Sequence, residues 1–368
     1  MVAAVNIAVF NWRDLQHPKH GGAEVATHLL ASRLAQRGHR VTLVTSIYPG
    51  AKSHQQFGEY DIVRFGNEVT CRFHALSWLR RQRDIDIAID EVNTLPFLSR
   101  LAMPDRVVVW MLQLAREVWL AEAPPVLGHI GYLTEPALLS IYRHSPIVTI
   151  SQSSAASFRQ MGMCGPIEVA EISLQPPLEG PFAPVPGLIG YVGRLAPSKR
   201  IDHLISAVAL LAERVPQARL AIVGAGSERE EARLRRHAAL LGIAKRVTFA
   251  GRVSSEERDR LMSGMDVLAL TSMREGWGLV VSEAARFGVP SVVYPVAGVV
   301  DSVSNGKTGL VTARENPADL ASALEKIIRD RPLRERLGKN AADYLHQFDE
   351  ERFIGRFESV LRRVARRS

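Results

Sequence analysis

Short apolar runs alternate with helical patterns along both halves of the chain. In the first half the apolar runs predict strands at Val5–Phe10, Val41–Thr45, Ile85–Ile89, Arg106–Met111 and Ile147–Ser151. A helix is predicted over Glu24–Arg37, where Gly38 closes it. Apolar strands with helices between them are typical of parallel sheets that helices cover on both faces. The pattern therefore predicts the α/β class.

The alternation restarts after a proline-rich stretch, Gln175–Pro186, which we interpret as a linker. The second half has a predicted helix over Ile201–Arg214, a turn and strand over Gly306–Val311, and strands at Leu188–Val192, Ala218–Val223, Val247–Ala250, Val267–Leu270 and Ser291–Tyr294. We expect an N-terminal domain over 1–178, a second domain over 179–349, and a C-terminal helix over 350–368 that returns to the N-terminal domain. The length of 368 residues fits two domains.

The composition is that of a globular protein. No window holds the roughly 18 apolar residues that a membrane-spanning helix needs, and the apolar N-terminus lacks the basic start of a signal peptide. With two cysteines, Cys71 and Cys164, a disulfide framework is not expected. We therefore predict a cytoplasmic protein.

The formal net charge of +8 fits a generally basic surface, and it also fits attraction to phosphate-bearing substrates or an anionic membrane. The segment Cys71–Arg83 is basic, with apolar residues at 73, 76 and 79. Such a helix could lie peripherally on the inner face of an anionic membrane, or it could pack on the core with a charged outer face. Because no zinc-ligand cluster or helix-turn-helix pattern occurs, we expect no nucleic-acid partner.

The most informative segment is Arg274–Glu283, where Glu275 and Glu283 flank a Gly-Trp-Gly turn and a predicted helix start. Glycines let backbone N–H groups approach a ligand, and the N–H groups at a helix start suit a diphosphate. Glu275 precedes the helix and Glu283 lies in its second turn. We therefore expect the two carboxylates to touch different parts of one ligand.

Two other glycine loops follow predicted strands. Gly21 and Gly22 come after the first strand, and Gly193-Arg194, with Lys199 five residues on, comes after the first strand of the second half. Ligands of doubly wound sheets bind at the carboxyl ends of strands, so these loops are candidates for one site. Structural readings stay open: a tight turn at Gly21-Gly22, a surface pair at Lys199-Arg200, a helix N-terminal charge at Glu24 and simple packing for Trp277.

In this order the motifs resemble the retaining, metal-independent sugar-nucleotide glycosyltransferases of the GT-B fold, the group 1 glycosyltransferases that include glycogen-synthase-like enzymes and mannosyltransferases. Besides the three loops, the resemblance rests on Gly38–Val41, Val223–Gly226, Phe249–Val253, Ala297–Asp301 and Asn305–Val311. It implies two Rossmann-like domains that face each other across a cleft, the first binding a hydroxyl acceptor and the second a nucleotide sugar. It also implies that no metal and no cofactor is needed.

The resemblance assigns roles to individual residues. Arg194 and Lys199, next to Gly193, would hold the donor diphosphate and stabilise the leaving group. Glu275 would lie by the donor sugar, and Glu283 would bind the ribose hydroxyls. Backbone contacts to the donor would come from Gly21 and Gly22 in the other domain, from Arg252 and Val253 at the base, and from Gly276, Trp277, Gly278 and Leu279 at the sugar and phosphate.

One position departs from the family pattern. The family usually has a histidine, near the 6-hydroxyl of the donor sugar, where this chain has Leu112. An apolar side chain can neither donate nor accept a hydrogen bond there. One hypothesis is a donor without an ordinary 6-hydroxyl, such as a deoxysugar or a pentose; a re-shaped site or a weakened enzyme is the alternative.

Candidate acceptor contacts lie at the ends of first-half strands. They are Asp90, Glu91, Asn93 and Gln113. The nearby pattern Asp84-x-Asp86 could bind a divalent metal in other glycosyltransferases, but it lies inside a strand pattern, and we expect no metal there. Two rival functions remain: a non-catalytic sugar-nucleotide-binding protein, and a GT-B-type epimerase or phosphorylase, although no pyridoxal phosphate signature occurs.

Overall fold

The computed structural model describes residues 4–172, 176, 178, 182 and 184–366. The chain divides into two compact units: residues 1–116, 130–172 and 350–368 form the first, and residues 117–129 and 173–349 form the second. The terminal helix thus belongs to the first unit, whereas residues 117–129, which we expected in the N-terminal domain, pack with the second. Much of the linker predicted at Gln175–Pro186, with the 178/179 boundary, lies outside the described residues.

The first unit is built on one sheet. Its strands are β1 (Asn6–Phe10), β2 (Arg40–Ser46), β3 (His54–Phe57), β4 (Tyr60–Phe65), β5 (Ile87–Glu91), β6 (Val107–Trp110), β7 (Ile147–Thr149) and β8 (Ile167–Val169). Their order across the sheet is β3-β4-β2-β1-β5-β6-β7-β8, and every pair is parallel except β3 with β4. Strand order reverses direction between β1 and β5, where a doubly wound sheet opens a crevice.

The second unit has a wholly parallel sheet. Its strands are β9 (Leu188–Val192), β10 (Arg219–Val223), β11 (Val247–Gly251), β12 (Val267–Leu270), β13 (Ser291–Val293) and β14 (Gly309–Val311). Their order is β11-β10-β9-β12-β13-β14, so the reversal falls between β9 and β12. All four residues of β12 are buried, as expected of a strand that helices cover on both faces.

Helices flank both sheets. In chain order they are α1 (Gly22–Gln36), α2 (Cys71–Arg81), α3 (Glu117–Glu122), α4 (Pro125–Ser140), α5 (Gln152–Gln160), α6 (Ile201–Ala212), α7 (Glu228–Leu240), α8 (Ser255–Ser263), α9 (Leu279–Ala285), α10 (Val299–Ser302), α11 (Pro317–Arg329), α12 (Arg331–Leu345) and α13 (Glu350–Ala365). In the first unit, Phe353 and Phe357 of α13 pack against Trp110 of β6, with ring centroids 6.4 and 5.3 Å apart. Among the described residues, no helix is long and apolar enough to cross a membrane.

The structure confirms the α/β class with two parallel, Rossmann-like sheets. The predicted strands are present, with ends that differ by one or two residues, but β3, β4 and β8 were not predicted. β3 is an edge strand of sequence His-Gln-Gln-Phe, β4 alternates buried with half-buried residues, and β8 has three residues. None of them carries the continuous apolar run that marks a strand buried on both faces.

Candidate functional site

The predicted donor residues of the second unit gather at the reversal of its sheet. β9 and β12 are neighbours, and Gly190 of β9 pairs with Leu268 of β12. Arg194 and Lys199 follow the carboxyl end of β9, and Glu275 follows that of β12. This edge is where ligands of open α/β sheets bind.

Lys199 and Glu275 form an ion pair between these two loops. The hydroxyl of Ser272 donates to the same Glu275 oxygen at 2.6 Å. The side chains of Lys199 and Glu275 are only 21% and 16% exposed, so both charges lie mostly out of water. The residue predicted to bind the diphosphate, Lys199, is therefore in direct contact with the residue predicted to bind the sugar, Glu275.

Arg200 locks the two loops together, which the sequence did not indicate. Its φ is 48°, a left-handed conformation that is uncommon outside glycine. The guanidinium donates to the carbonyls of Thr271 and Ser272 at 3.1 Å each, and the Thr271 hydroxyl donates to the Lys199 carbonyl at 2.8 Å. The surface-pair reading of Lys199-Arg200 is therefore wrong for both residues.

Arg194 and Arg274 are paired with carboxylates of α3. Arg194 Nη2 donates to both oxygens of Glu122 at 2.8 Å, and the Ser198 hydroxyl donates to Glu122 as well. Arg274 Nε donates to Glu117 at 3.0 Å. Nothing in the sequence pattern pointed to α3, because these glutamates lie more than 70 positions from their partners.

The backbone around Glu275 is packed against glycine. Gly298 has a φ of 86°, and a Cβ at this position would lie 2.0 Å from the Glu275 carbonyl oxygen. The Glu275 N–H in turn faces the Ala297 carbonyl at 3.4 Å. The motif Ala297–Asp301 thus packs directly against the loop that carries Glu275.

The side chain of Trp277 is a packing group, one of the two readings that the sequence left open. It is 4% exposed, its indole N–H donates to the Ser282 hydroxyl at 3.0 Å, and its ring meets Phe348 edge-on with centroids 5.1 Å apart. The Trp277 side chain is therefore occupied by packing, and the contacts predicted for Gly276, Trp277, Gly278 and Leu279 concern their backbone alone. Gly278, with a φ of 82°, precedes the first residue of α9.

Glu283 and the Arg252-Val253 pair lie on other parts of the second unit. Glu283 is in the second turn of α9, with its side chain 34% exposed and Arg258 Nη1 at 3.9 Å. Burial raises the pKa of Glu283, and the Arg258 guanidinium opposes that shift. Arg252, which is exposed, and Val253, which is half-buried, follow β11.

A buried polar cluster lies at the corresponding reversal of the first unit. Glu91, the last residue of β5, accepts hydrogen bonds from the Thr27 hydroxyl and from Asn11 Nδ2, the latter at 3.0 Å. Asn93 Nδ2 lies 3.4 Å from the other Glu91 oxygen. Because the carboxyl group is fully buried, desolvation raises the pKa of Glu91 well above its usual value.

The structure corrects the prediction for Asp90. Its side chain is completely buried and accepts the N–H groups of Phe97 and Ser99 at 3.1 Å, the Ser99 hydroxyl at 2.7 Å and the Tyr142 hydroxyl. Successive residues of a strand point to opposite faces, so Asp90 and Glu91 cannot serve one site. Asp90 holds an internal loop and is not an acceptor contact.

The loop after β1 places Gly21 and Gly22 at the start of α1, where both are exposed. The Gly21 N–H donates to Glu24 Oε2 at 2.6 Å, and the Glu24 side chain is buried. Glu24 therefore caps the helix, as one of its two readings proposed.

Leu112 and Gln113 follow the carboxyl end of β6, and both are half-buried. Gln113 Oε1 is buried without a hydrogen-bond partner among the described residues. Asp84 and Asp86 precede β5, at the opposite edge of the sheet, where Asp86 accepts the Asn6 N–H at 2.7 Å. That contact connects the start of β5 to β1. Asp84 and Asp86 thus lie at the opposite end of β5 from the candidate acceptor residues.

Comparison with known proteins agrees with this geometry. Residues 181–344 match the family model of the glycosyl transferases group 1. This matched segment is less than half of the chain. The segment contains β9 to β14, and with them Arg194, Lys199, Glu275 and Glu283.

Part of the chain is similar to curated D-inositol 3-phosphate glycosyltransferases. That of Stackebrandtia nassauensis is 36% identical over 168 residues, which is 44% of this chain and 38% of the relative. That of Corynebacterium jeikeium is 37% identical over 167 residues, which is 44% of this chain and 40% of the relative. The chain thus spans less than half the length of the curated relatives that it matches.

Solved structures are similar to this chain over nearly its whole length. Sucrose-phosphate synthase from Thermosynechococcus elongatus has a TM-score of 0.81 at 20% identity and covers 99% of this chain and 100% of its own. Anabaena HepE in complex with UDP and glucose has a TM-score of 0.74 at 19% identity, covering 97% and 99%. WaaG, a glycosyltransferase involved in lipopolysaccharide biosynthesis, has a TM-score of 0.76 at 19% identity, covering 96% and 99%. The fold is therefore GT-B.

Proposed function

We propose that this protein is a glycosyltransferase that moves a sugar from a nucleoside-diphosphate donor to a hydroxyl acceptor. The observation that carries the proposal is the Lys199–Glu275 pair at the β9/β12 reversal, inside the segment that matches the group 1 family. A cation suited to phosphate and a carboxylate suited to sugar hydroxyls are thus held side by side by Ser272, Thr271 and Arg200.

We also propose that the reaction retains the anomeric configuration and needs no metal. The bond between the anomeric carbon and the diphosphate breaks, and the bond to the acceptor oxygen forms on the same face. The acceptor proton passes to an oxygen of the departing diphosphate, so no protein base is required. Arg194 and Lys199 would stabilise the negative charge that develops on the leaving group, as fixed cations do in a partly dehydrated site.

The remaining donor contacts follow from positions on the sheet. Glu283 would bind the ribose hydroxyls, Arg252-Val253 would meet the base, and the backbone of Gly276–Leu279 would line the sugar and phosphates. Gly21 and Gly22 would contribute backbone contacts to the diphosphate. Asn93 and Gln113, which follow β5 and β6, remain candidates for the acceptor, whereas the Glu91 carboxylate is buried and occupied by Thr27 and Asn11.

The donor sugar is proposed to lack an ordinary 6-hydroxyl. The support is Leu112, which places an apolar side chain after β6 where the family has a histidine. The same observation favours a second candidate function, a protein that binds a sugar nucleotide without transferring the sugar.

One experiment separates these functions. Purified protein is incubated with a panel of UDP-, GDP-, ADP- and dTDP-sugars, including deoxysugars and pentoses, with and without candidate acceptors and with EDTA present. We expect release of a nucleoside diphosphate that depends on acceptor, and proton NMR of the product should show the donor's anomeric configuration. Thermal stabilisation by a nucleotide sugar without any release would support the binding protein, and no stabilisation by any nucleotide would overturn both.

Contact between the first unit and an anionic membrane is part of the proposal. The apolar line predicted on α2 is divided, because Leu79 is buried while Phe73 is 70% exposed. Phe73 shares the outer surface of the helix with Arg80 and Arg81. An exposed aromatic ring beside two arginines suits the boundary between lipid headgroups and acyl chains.

A further inference from the structure

The proposed reaction assigns no role to α3, although this helix contacts the candidate donor site. α3 presents two carboxylates, Glu117 and Glu122, to two cations of the candidate donor site. Its six residues include none that is fully buried. The hydrogen bonds of Glu117 and Glu122 tie this helix to the loops of the candidate donor site.

At Arg194, Glu122 occupies a guanidinium nitrogen that could otherwise donate to a phosphate oxygen. Nη2 of Arg194 lies 2.8 Å from each Glu122 oxygen, and the Ser198 hydroxyl donates to the same carboxylate. Carboxylate and phosphate oxygens accept the same hydrogen bonds from a guanidinium, and they carry the same sign of charge. A diphosphate that binds through Nη2 of Arg194 and the Ser198 hydroxyl would therefore need the atoms that Glu122 already uses.

The seat of α3 also carries two costs. The residue before the helix, Arg116, has a φ of 33°, which is unfavourable for a non-glycine residue. In the helix, the indole N–H of Trp119 is buried without a hydrogen-bond partner among the described residues, which leaves a desolvation cost unrecovered.

We infer that α3 is a built-in competitor of the donor, in which Glu122 occupies Arg194 until a nucleoside diphosphate displaces it. The inference rests on the proposed function. Glu117 supports Glu122 by holding Arg274, whose side chain is 17% exposed, at the other end of the same short helix. Displacement of α3 exchanges one set of charge-assisted hydrogen bonds for another and frees Arg194 and Ser198 together.

The competition predicts tighter nucleotide binding when Glu122 loses its charge. In Glu122→Gln, the dissociation constant of UDP, measured by calorimetry, should fall about two- to fivefold, the range of an exposed ion pair. GDP and ADP serve as second probes. The matched control is Glu335→Gln, which removes one negative charge from a surface pair with Arg331 on α12 and should leave the dissociation constant unchanged.

Hydrogen exchange supplies a readout that needs no ligand. Without nucleotide, Glu122→Gln should exchange faster than wild type over residues 117–123, because the contact that holds α3 is weakened. In wild type, adding UDP should raise exchange over the same residues while it lowers exchange around Lys199 and Glu275.

The outcomes separate the inference from the function beneath it. If wild type binds UDP and Glu122→Gln binds it equally or more weakly, Glu122 positions Arg194 for its ligand and the inference is wrong. Unchanged exchange over 117–123 in the ligand-free variant would also overturn it. If wild type binds none of the three nucleotides, the proposed function fails, and the inference falls with it.

Discussion

Lys199 and Glu275 share one ion pair, and the Ser272 hydroxyl donates to the carboxylate of that pair at 2.6 Å. The pair joins the loop after β9 to the loop after β12. It therefore lies where the strand order of the second sheet reverses. The proposed donor would replace part of this pairing with its own phosphate and hydroxyl groups.

Lys199→Ala should lower kcat by about 100- to 1,000-fold, the usual effect of losing one group that stabilises a developing negative charge. The measurement is initial-rate release of nucleoside diphosphate with the best donor of the panel. Lys245→Ala, which removes an exposed lysine of the same unit, is the control and should keep the wild-type rate. Equal rates for the two variants would remove Lys199 from the mechanism.

Glu275→Gln should separate binding from turnover. The variant loses the charge that pairs with Lys199, so its affinity for UDP should stay the same or increase while its turnover falls at least about tenfold, since an interaction with the reacting sugar is weakened. Calorimetry with UDP and initial rates with the donor test both parts. A fall in UDP affinity with unchanged kcat would show that Glu275 serves the diphosphate instead of the sugar.

Glu91 should make stability depend on pH. Because its pKa is raised well above 4.5 in the folded state, the folded protein keeps a proton that the unfolded chain loses above that pH. The free energy of unfolding therefore falls as the pH rises from 4.5 towards the folded pKa, and this contribution is fully present below 4.5. Glu91→Gln is neutral at every pH and should remove the slope.

Urea unfolding of wild type and Glu91→Gln across this pH range is the measurement. The stability of the variant relative to wild type should increase with pH above 4.5 and stay constant below it. Glu59→Gln, at an exposed position of the same unit, is the control and should run parallel to wild type. A difference between Glu91→Gln and wild type that is the same at every pH would contradict the argument.

Leu112 should set the choice of donor sugar. Leu112→His restores a hydrogen-bonding group near the expected 6-hydroxyl, and we expect it to raise kcat/KM for ordinary hexose donors by up to about tenfold relative to deoxysugar or pentose donors, the value of one hydrogen bond. Leu112→Met, which stays apolar, is the control. The hypothesis fails if wild type already prefers hexoses with a free 6-hydroxyl.

Phe73 should contribute to membrane binding. Phe73→Ser should weaken co-sedimentation with anionic phosphatidylglycerol vesicles by roughly tenfold, because the ring loses about 1–2 kcal/mol of burial in the interface. Leu240→Ser, which changes an apolar side chain that is 80% exposed on α7, is the matched control. If wild type does not bind these vesicles at low salt, the membrane proposal is wrong.

Much of this architecture could be predicted because buried parallel strands are continuous apolar runs, and glycine loops follow them. The sequence therefore located Arg194, Lys199 and Glu275 before any contact was known. It could not indicate that Glu122 meets Arg194, because nothing local encodes a pairing 72 positions long. Nor could it tell Asp90 from Glu91. The two carboxylates are adjacent in sequence, but their side chains point to opposite faces of the sheet.

The position of Glu275, the proposed sugar-binding carboxylate, depends on a residue of another loop, Gly298. With a hypothetical Cβ 2.0 Å from the Glu275 carbonyl oxygen, the loop after β13 has room for the glutamate loop only while that position carries no side chain. The position of Glu275 is thus set by the contact between its backbone and the backbone of Gly298. Mutant libraries that vary residues 297–301 to change donor choice would therefore displace the Glu275 carboxylate.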